Sequence, residues 1–175
     1  MSDNGIEFLQ RKTIKVLTAG QVLSGFGLGS TLSIGSLLAA DLSGSAAWAG
    51  AAATFSTLGA ATWAIPLARL AFARGRRRAL ATGAGLAIFG AALVITAAAL
   101  KLFPLLLVAL FFMGAGSATG LQARFAATDL PSNRSSGRDL SLVVWATTIG
   151  AVTGPNLFGP GEFVGGLLGM PEMTG

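Results

Sequence analysis

The chain has 175 residues, 53% of them hydrophobic and only 11% charged, with a formal net charge of +5 and a mean hydropathy of +0.71. An ordinary soluble domain carries about 25% charged residues, so this composition excludes a water-soluble fold at this size and is that of a membrane protein. The chain has no Cys and no His, which removes disulfides, Cys/His metal sites and histidine acid–base catalysis; no catalytic residue, metal or cofactor is expected.

The charged residues mark the elements. Uncharged runs separate Lys15 from Asp41, Asp41 from Arg69, Arg78 from Lys101, Lys101 from Arg124 and Asp139 from Glu162; the shortest is 22 residues. A helix needs about 20 apolar residues to cross a bilayer. The reading is therefore an all-α, polytopic transmembrane bundle of five spans near 15–40, 46–68, 79–100, 103–123 and 140–161. A cytoplasmic segment, 1–14, precedes them and an extracytoplasmic tail, 162–175, follows.

The first span begins after Arg11, Lys12 and Lys15. Its 25 uncharged residues are too many for the 7–15-residue core of a signal peptide, and SLLAAD is a poor cleavage site. Within it Gln21, Ser24 and Thr31 share one helical face. Polar groups inside a span face a cavity or a partner helix, so these three, with Asn156 in the fifth span, are the candidate substrate path. GFGLGS, Gly25 to Ser30, is a small-residue surface suited to close helix packing.

The second span ends in WAIP and is followed by ARGRRRAL, Ala73 to Leu80. The fourth carries GAGSATG, Gly114 to Gly120, and leads to Arg124, Arg134 and Arg138. Eleven of the twelve basic residues therefore fall on one side and Lys101 alone on the other. By the positive-inside rule the N-terminus is cytoplasmic, and five crossings place the C-terminus outside. The Arg cluster has no interleaved aromatics and lies against the membrane, so its expected partner is anionic lipid, not nucleic acid. The glycine-rich first and fourth helices echo each other, as do the proline-bearing second and fifth, a pattern used by transporters built from inverted repeats.

The fifth span contains IGAVTGPNLFGP, Ile149 to Pro160. Pro155 removes a backbone donor and bends a helix, a break that neighbouring helices can re-satisfy in a membrane. Gly150 and Gly154 form a GxxxG contact face.

These features together resemble the N-terminal half of a major facilitator superfamily transporter, over about Lys15 to Gly161. The family's motif A, G-x-x-x-D-R-x-G-R-R, aligns with ARLAFARGRR: Gly75, Arg76 and Arg77 match, while Ala68, Phe72 and Ala73 replace the first glycine, the acid and the following base. The resemblance implies a cytoplasmic-gate role for Gly75, Arg76 and Arg77. Motif C of the antiporter branch, G-x-x-x-G-P-x-x-x-G, is matched by Gly150, Gly154, Pro155 and Gly159, with Ser141 at its more amino-terminal glycine. It implies a kinked, sealing helix that favours export. Motif B's intramembrane arginine falls at Leu110, and no acid lies in any span, so the proton-coupling groups of the family are missing from this chain.

The implied function is export of small, amphipathic molecules by alternating access across a cytoplasmic membrane, which needs the remaining transporter helices as partners. The alternative is a small, non-transporting membrane scaffold or accessory subunit. An enzyme is not expected, because the spans hold no nucleophile with a base and no metal-ligand set.

Overall fold

The computed structural model describes residues 3–126 and 136–156. They form five long helices: α1 Asp3–Ser43, α2 Ala51–Arg74, α3 Arg76–Leu100, α4 Phe103–Ala126 and α5 Ser136–Asn156, with a short 3-10 turn at Ala46–Trp48. No strand occurs among the described residues. Four stretches are long and apolar enough to cross a membrane: Ile14–Ser43, Ala46–Arg74, Arg76–Leu100 and Phe103–Arg124. The described part of α5 is outside that set. It holds Arg138 and Asp139 in its first turn and carries Thr147, Thr148, Thr153 and Asn156, and the expected span's last residues, 157–161, lie outside the described residues, as does the tail 162–175. The helix α1 starts before the expected boundary at Lys15 and takes in most of the N-terminal segment. Its 41 residues extend about 60 Å at 1.5 Å per residue.

Two connections are built from unusual backbone. Gly75 joins α2 to α3 with φ 87° and ψ 155°, a region that only glycine occupies without strain. Lys101 joins α3 to α4 at φ 51° and ψ 41°, and its N–H is shared between the Ala97 and Ala98 carbonyls. Pro104 follows in the first turn of α4, where a missing N–H costs no helical hydrogen bond.

The bundle is sorted by side-chain size more than by polarity. Its main buried cluster is Leu38, Ala39, Ala52, Ala97, Ala98, Leu106 and Leu110. Leu23, Leu58, Ile65, Ile88, Trp145 and Val152 are exposed. In a bilayer an outward leucine costs nothing, and association depends on close van der Waals contact, so small residues go inward.

Pairing follows the same logic. The helices α1 and α5 run parallel and touch through glycines. A Cβ at Gly25 would overlap the Thr147 carbonyl oxygen, and one at Gly150 would overlap the Val22 carbonyl oxygen. The parallel pair α4 and α2 repeats this contact at the nearest atom: a Cβ at Gly114 would meet the Ser56 carbonyl oxygen, and one at Gly59 the Phe111 carbonyl oxygen. Gly25 thus corresponds to Gly114, and Gly150 to Gly59. The helix pairs are related by inversion, as the echo between the first and fourth and between the second and fifth helices predicts. Antiparallel contacts complete the bundle. Gln21 meets Gly120 between α1 and α4, and Gly83 meets Thr119 between α3 and α4.

Candidate functional site

The polar face of α1 is turned toward α4. Gln21 is 1% exposed, and its Nε2 donates to the Gly120 carbonyl oxygen at 3.1 Å. The close approach depends on Gly120, where a Cβ would stand 3.2 Å from Gln21 Oε1 and 3.3 Å from Ser24 Oγ. Thr31 is also buried; its Oγ1 donates back to the Gly27 carbonyl at 2.6 Å and lies 3.7 Å from Met113 Sδ. Such back-bonding satisfies a hydroxyl within its own helix.

Beside this face a cleft of ≈ 210 Å³ opens between α1, α3 and α4, with α2 at its floor. Ser24, Thr31, Ser56, Ser117 and Met113 supply its polarity, and its apolar lining includes Leu23 and Ile88. Ser56 is only 7% exposed and lines the cleft with Ser24 and Ser117. Of the four expected path residues, the structure therefore brings Ser24 and Thr31 to one cleft and sets Gln21 at the adjoining helix contact. It leaves Asn156 apart: exposed on α5, with its Nδ2 donating to the Val152 carbonyl at 2.7 Å.

Gly150 and Gly154 both face α1. A Cβ at Gly154 would lie 2.8 Å from the Phe26 carbonyl oxygen, and the Pro155 ring packs where a Cβ of Gly29 would stand, at 2.9 Å. The two glycines are thus a contact face for α1. Gly159 lies outside the described residues.

The basic residues collect at one end of the bundle. Arg74 closes α2, Arg76, Arg77 and Arg78 open α3, and Arg124 stands in the last turn of α4. The antiparallel packing of α3 on α4 brings these ends together, with Lys101 at the opposite end. Phe72, at the position of the motif A acid, is 93% exposed. Leu110, at the position of the motif B arginine, is 1% exposed within the core, so that site is filled by packing.

Sequence reading did not single out Ser56. Nothing marks it along α2, because its importance arises from the cleft that α1, α3 and α4 form over it. Gln122, near the end of α4, has both side-chain polar atoms buried without a partner, as is the Nε1 of Trp63. Among the described residues no group of three potential metal ligands occurs. The available chemistry is that of hydroxyls, amides and apolar surface.

A bundle of membrane-length helices, paired through glycines and with its cations gathered at one end, is that of an integral membrane protein. Two curated relatives from Bacillus subtilis (strain 168) bear this out: the uncharacterized MFS-type transporters YddS, 39% identical, and YdeG, 37% identical, each over 168 residues or 95% of this chain. The chain belongs to the major facilitator superfamily. It spans 38% of the length of YddS and 39% of that of YdeG. No family model matches the chain, and no solved structure matches it.

Proposed function

We propose that the chain is the N-terminal part of a facilitator-type exporter of small amphipathic molecules and that it acts by alternating access together with the remaining helices of the transporter. The observation that carries this reading is the match to two MFS-type transporters over 95% of the chain and little more than a third of their length. Alternating access requires two bundles that rock about a site between them, so the path lies between this bundle and helices beyond it. Asn156, exposed on α5, is available to such a path.

The cationic end faces the cytoplasm of the cell whose plasma membrane holds the protein, by the eleven-to-one distribution of basic residues. There Gly75, Arg76 and Arg77 serve the gate and the neighbouring arginines meet anionic lipid headgroups. Gly150, Gly154 and Pro155, packed on α1, hold the export-type kinked helix against the bundle. The uncharged runs of the helices contain no acid between their terminal charges, so a coupling ion is handled by the other helices.

The test is dye or drug efflux from cells expressing this chain with and without the remaining helices of a full-length relative. Efflux that needs both parts is the expected result. A stably inserted chain that gives no efflux in either case would assign it instead to a non-transporting scaffold.

A further inference from the structure

The arginines at the cationic end differ in burial. Arg69, Arg74, Arg77 and Arg78 are exposed, as suits side chains that carry their charge out to water and headgroups. Arg124, the last residue of the Phe103–Arg124 span, is half-buried. Its Nε is buried and has no hydrogen-bond partner. An arginine near a helix C-terminus can turn back to the last carbonyls, but the Nε of Arg124 makes no such bond. A buried charged group without a partner is costly, and an ionisable residue within a membrane span marks a substrate or ion pathway.

The side of α4 that carries Arg124 is the side turned to the polar face of α1. Met113, Gly120 and Arg124 follow at i, i+7 and i+11 and so share one face of the helix. Met113 Sδ lies 3.7 Å from Thr31 Oγ1, and Gly120 accepts the Gln21 amide at 3.1 Å. Because α1 runs antiparallel to α4, Arg124 falls about one turn before Gln21, at the level of Leu17, which packs with Ile14 and with Val143 of α5. From there toward the middle of the span the face offers only neutral groups, Gln21, Ser24, Ser117 and Thr31. No acid occurs between Lys15 and Asp41, between Lys101 and Arg124 or between Asp139 and Glu162, so the uncharged runs of α1, α4 and α5 hold no counter-charge for this guanidinium.

We propose that Arg124 recognises an anionic group on the transported molecule, so that the substrates are amphipathic organic anions, carboxylates foremost. The proposal rests on the reading of the chain as part of an exporter and names the substrate class of its path. A guanidinium presents its N–H donors in a planar fork that matches a carboxylate through two parallel charge-assisted hydrogen bonds. Arg124 stands at the cytoplasmic end, where a molecule bound for export enters, and the neutral amide and hydroxyls beyond it add no opposing charge. An amphipathic cation would meet the same guanidinium at that entrance with no acid in these runs to offset the repulsion, which grows as water is excluded.

The test uses two dyes with the same xanthene ring system and opposite charge. The chain is co-expressed with the portion of YddS beyond the matched region, and efflux of carboxyfluorescein, loaded as its diacetate, is compared with efflux of rhodamine 6G. The expected result is export of carboxyfluorescein and retention of rhodamine 6G. Arg124→Gln raises the KM for carboxyfluorescein about tenfold or more with little change in kcat, and Arg124→Lys, which keeps the charge without the fork, falls between. Arg69→Gln, exposed at the same end, leaves KM unchanged and so separates contact from general surface charge. Insertion and co-purification of each variant are measured alongside, and the dye preference is read on the native chain, independently of any variant. Export of rhodamine 6G in preference to carboxyfluorescein, or a carboxyfluorescein KM that Arg124→Gln leaves unchanged, would overturn the anion assignment and leave the transporter reading standing. Loss of bound phosphatidylglycerol from the purified Arg124→Gln chain with KM unchanged would overturn it in favour of a lipid headgroup. No efflux of either dye from an inserted assembly would overturn both readings.

Discussion

Gln21 Nε2 on α1 lies 3.1 Å from the Gly120 carbonyl oxygen on α4, and the residue is almost completely buried. This hydrogen bond joins the two helices across 99 residues of sequence. Hydrogen bonds between membrane helices average about 0.6 kcal/mol and reach about 1.7 kcal/mol. Gln21→Leu, close in volume, is expected to lower stability by an amount in that range. Unfolding of the purified chain in mixed detergent micelles measures it; a loss above about 3 kcal/mol would mean that packing, not the hydrogen bond, is the main contribution.

The glycine contacts between α1 and α5 predict a graded response. At Gly25 and Gly150 an added Cβ would overlap backbone, and at Gly154 it would meet the Phe26 carbonyl oxygen less severely, at 2.8 Å. Overpacking costs about 1–3 kcal/mol and sometimes more. Gly150→Leu should therefore destabilise the α1–α5 pair more than Gly154→Leu, while Gly85→Ala should be neutral or slightly stabilising through helix propensity. Protease protection of α5 in vesicles ranks the three. Unchanged assembly and unchanged efflux in Gly154→Leu would count against the motif C assignment.

Gly75 is required by its backbone, independently of any gate. At φ 87° and ψ 155° a residue with a side chain is held in a conformation that costs about 1–3 kcal/mol. Gly75→Ala is expected to lower the thermal midpoint, whereas Arg77→Gln, on an exposed residue next to it, should not. Comparing the two by thermal unfolding separates the turn from the charge.

Lys101 offers the opposite change. It adopts a left-handed conformation at φ 51°, which costs an L-residue about 1–2 kcal/mol. Lys101→Gly removes that cost and should raise stability by about 1 kcal/mol, read as a rise in the unfolding midpoint. A fall would show that its side chain contributes at the membrane surface.

The cluster Arg74, Arg76, Arg77 and Arg78 should hold anionic lipid at about 1 kcal/mol per basic residue. Replacing all four by Gln is expected to reduce retention of phosphatidylserine during purification and to weaken the fixed orientation in the membrane. Lipid retention by native mass spectrometry and accessibility of an N-terminal tag read the two effects.

The amino-acid sequence determined the class of this protein. Runs of at least 22 uncharged residues between charges define membrane helices because a bilayer rejects charge over a fixed thickness, and the one-sided arginines mark an end of the bundle. The pairing of Gly25 with Gly150 and of Gly59 with Gly114 and the gathering of Ser24, Ser56 and Ser117 at one cleft were decided only by the tertiary structure. In water an amphipathic stripe shows which face of a helix is inside. In lipid a leucine is equally at home outside, so GFGLGS announces close packing without saying which glycine meets which helix. That choice depends on helix rotation and on the inverted pairing of α1–α5 with α4–α2, which backbone contact between distant glycines fixes and local sequence does not.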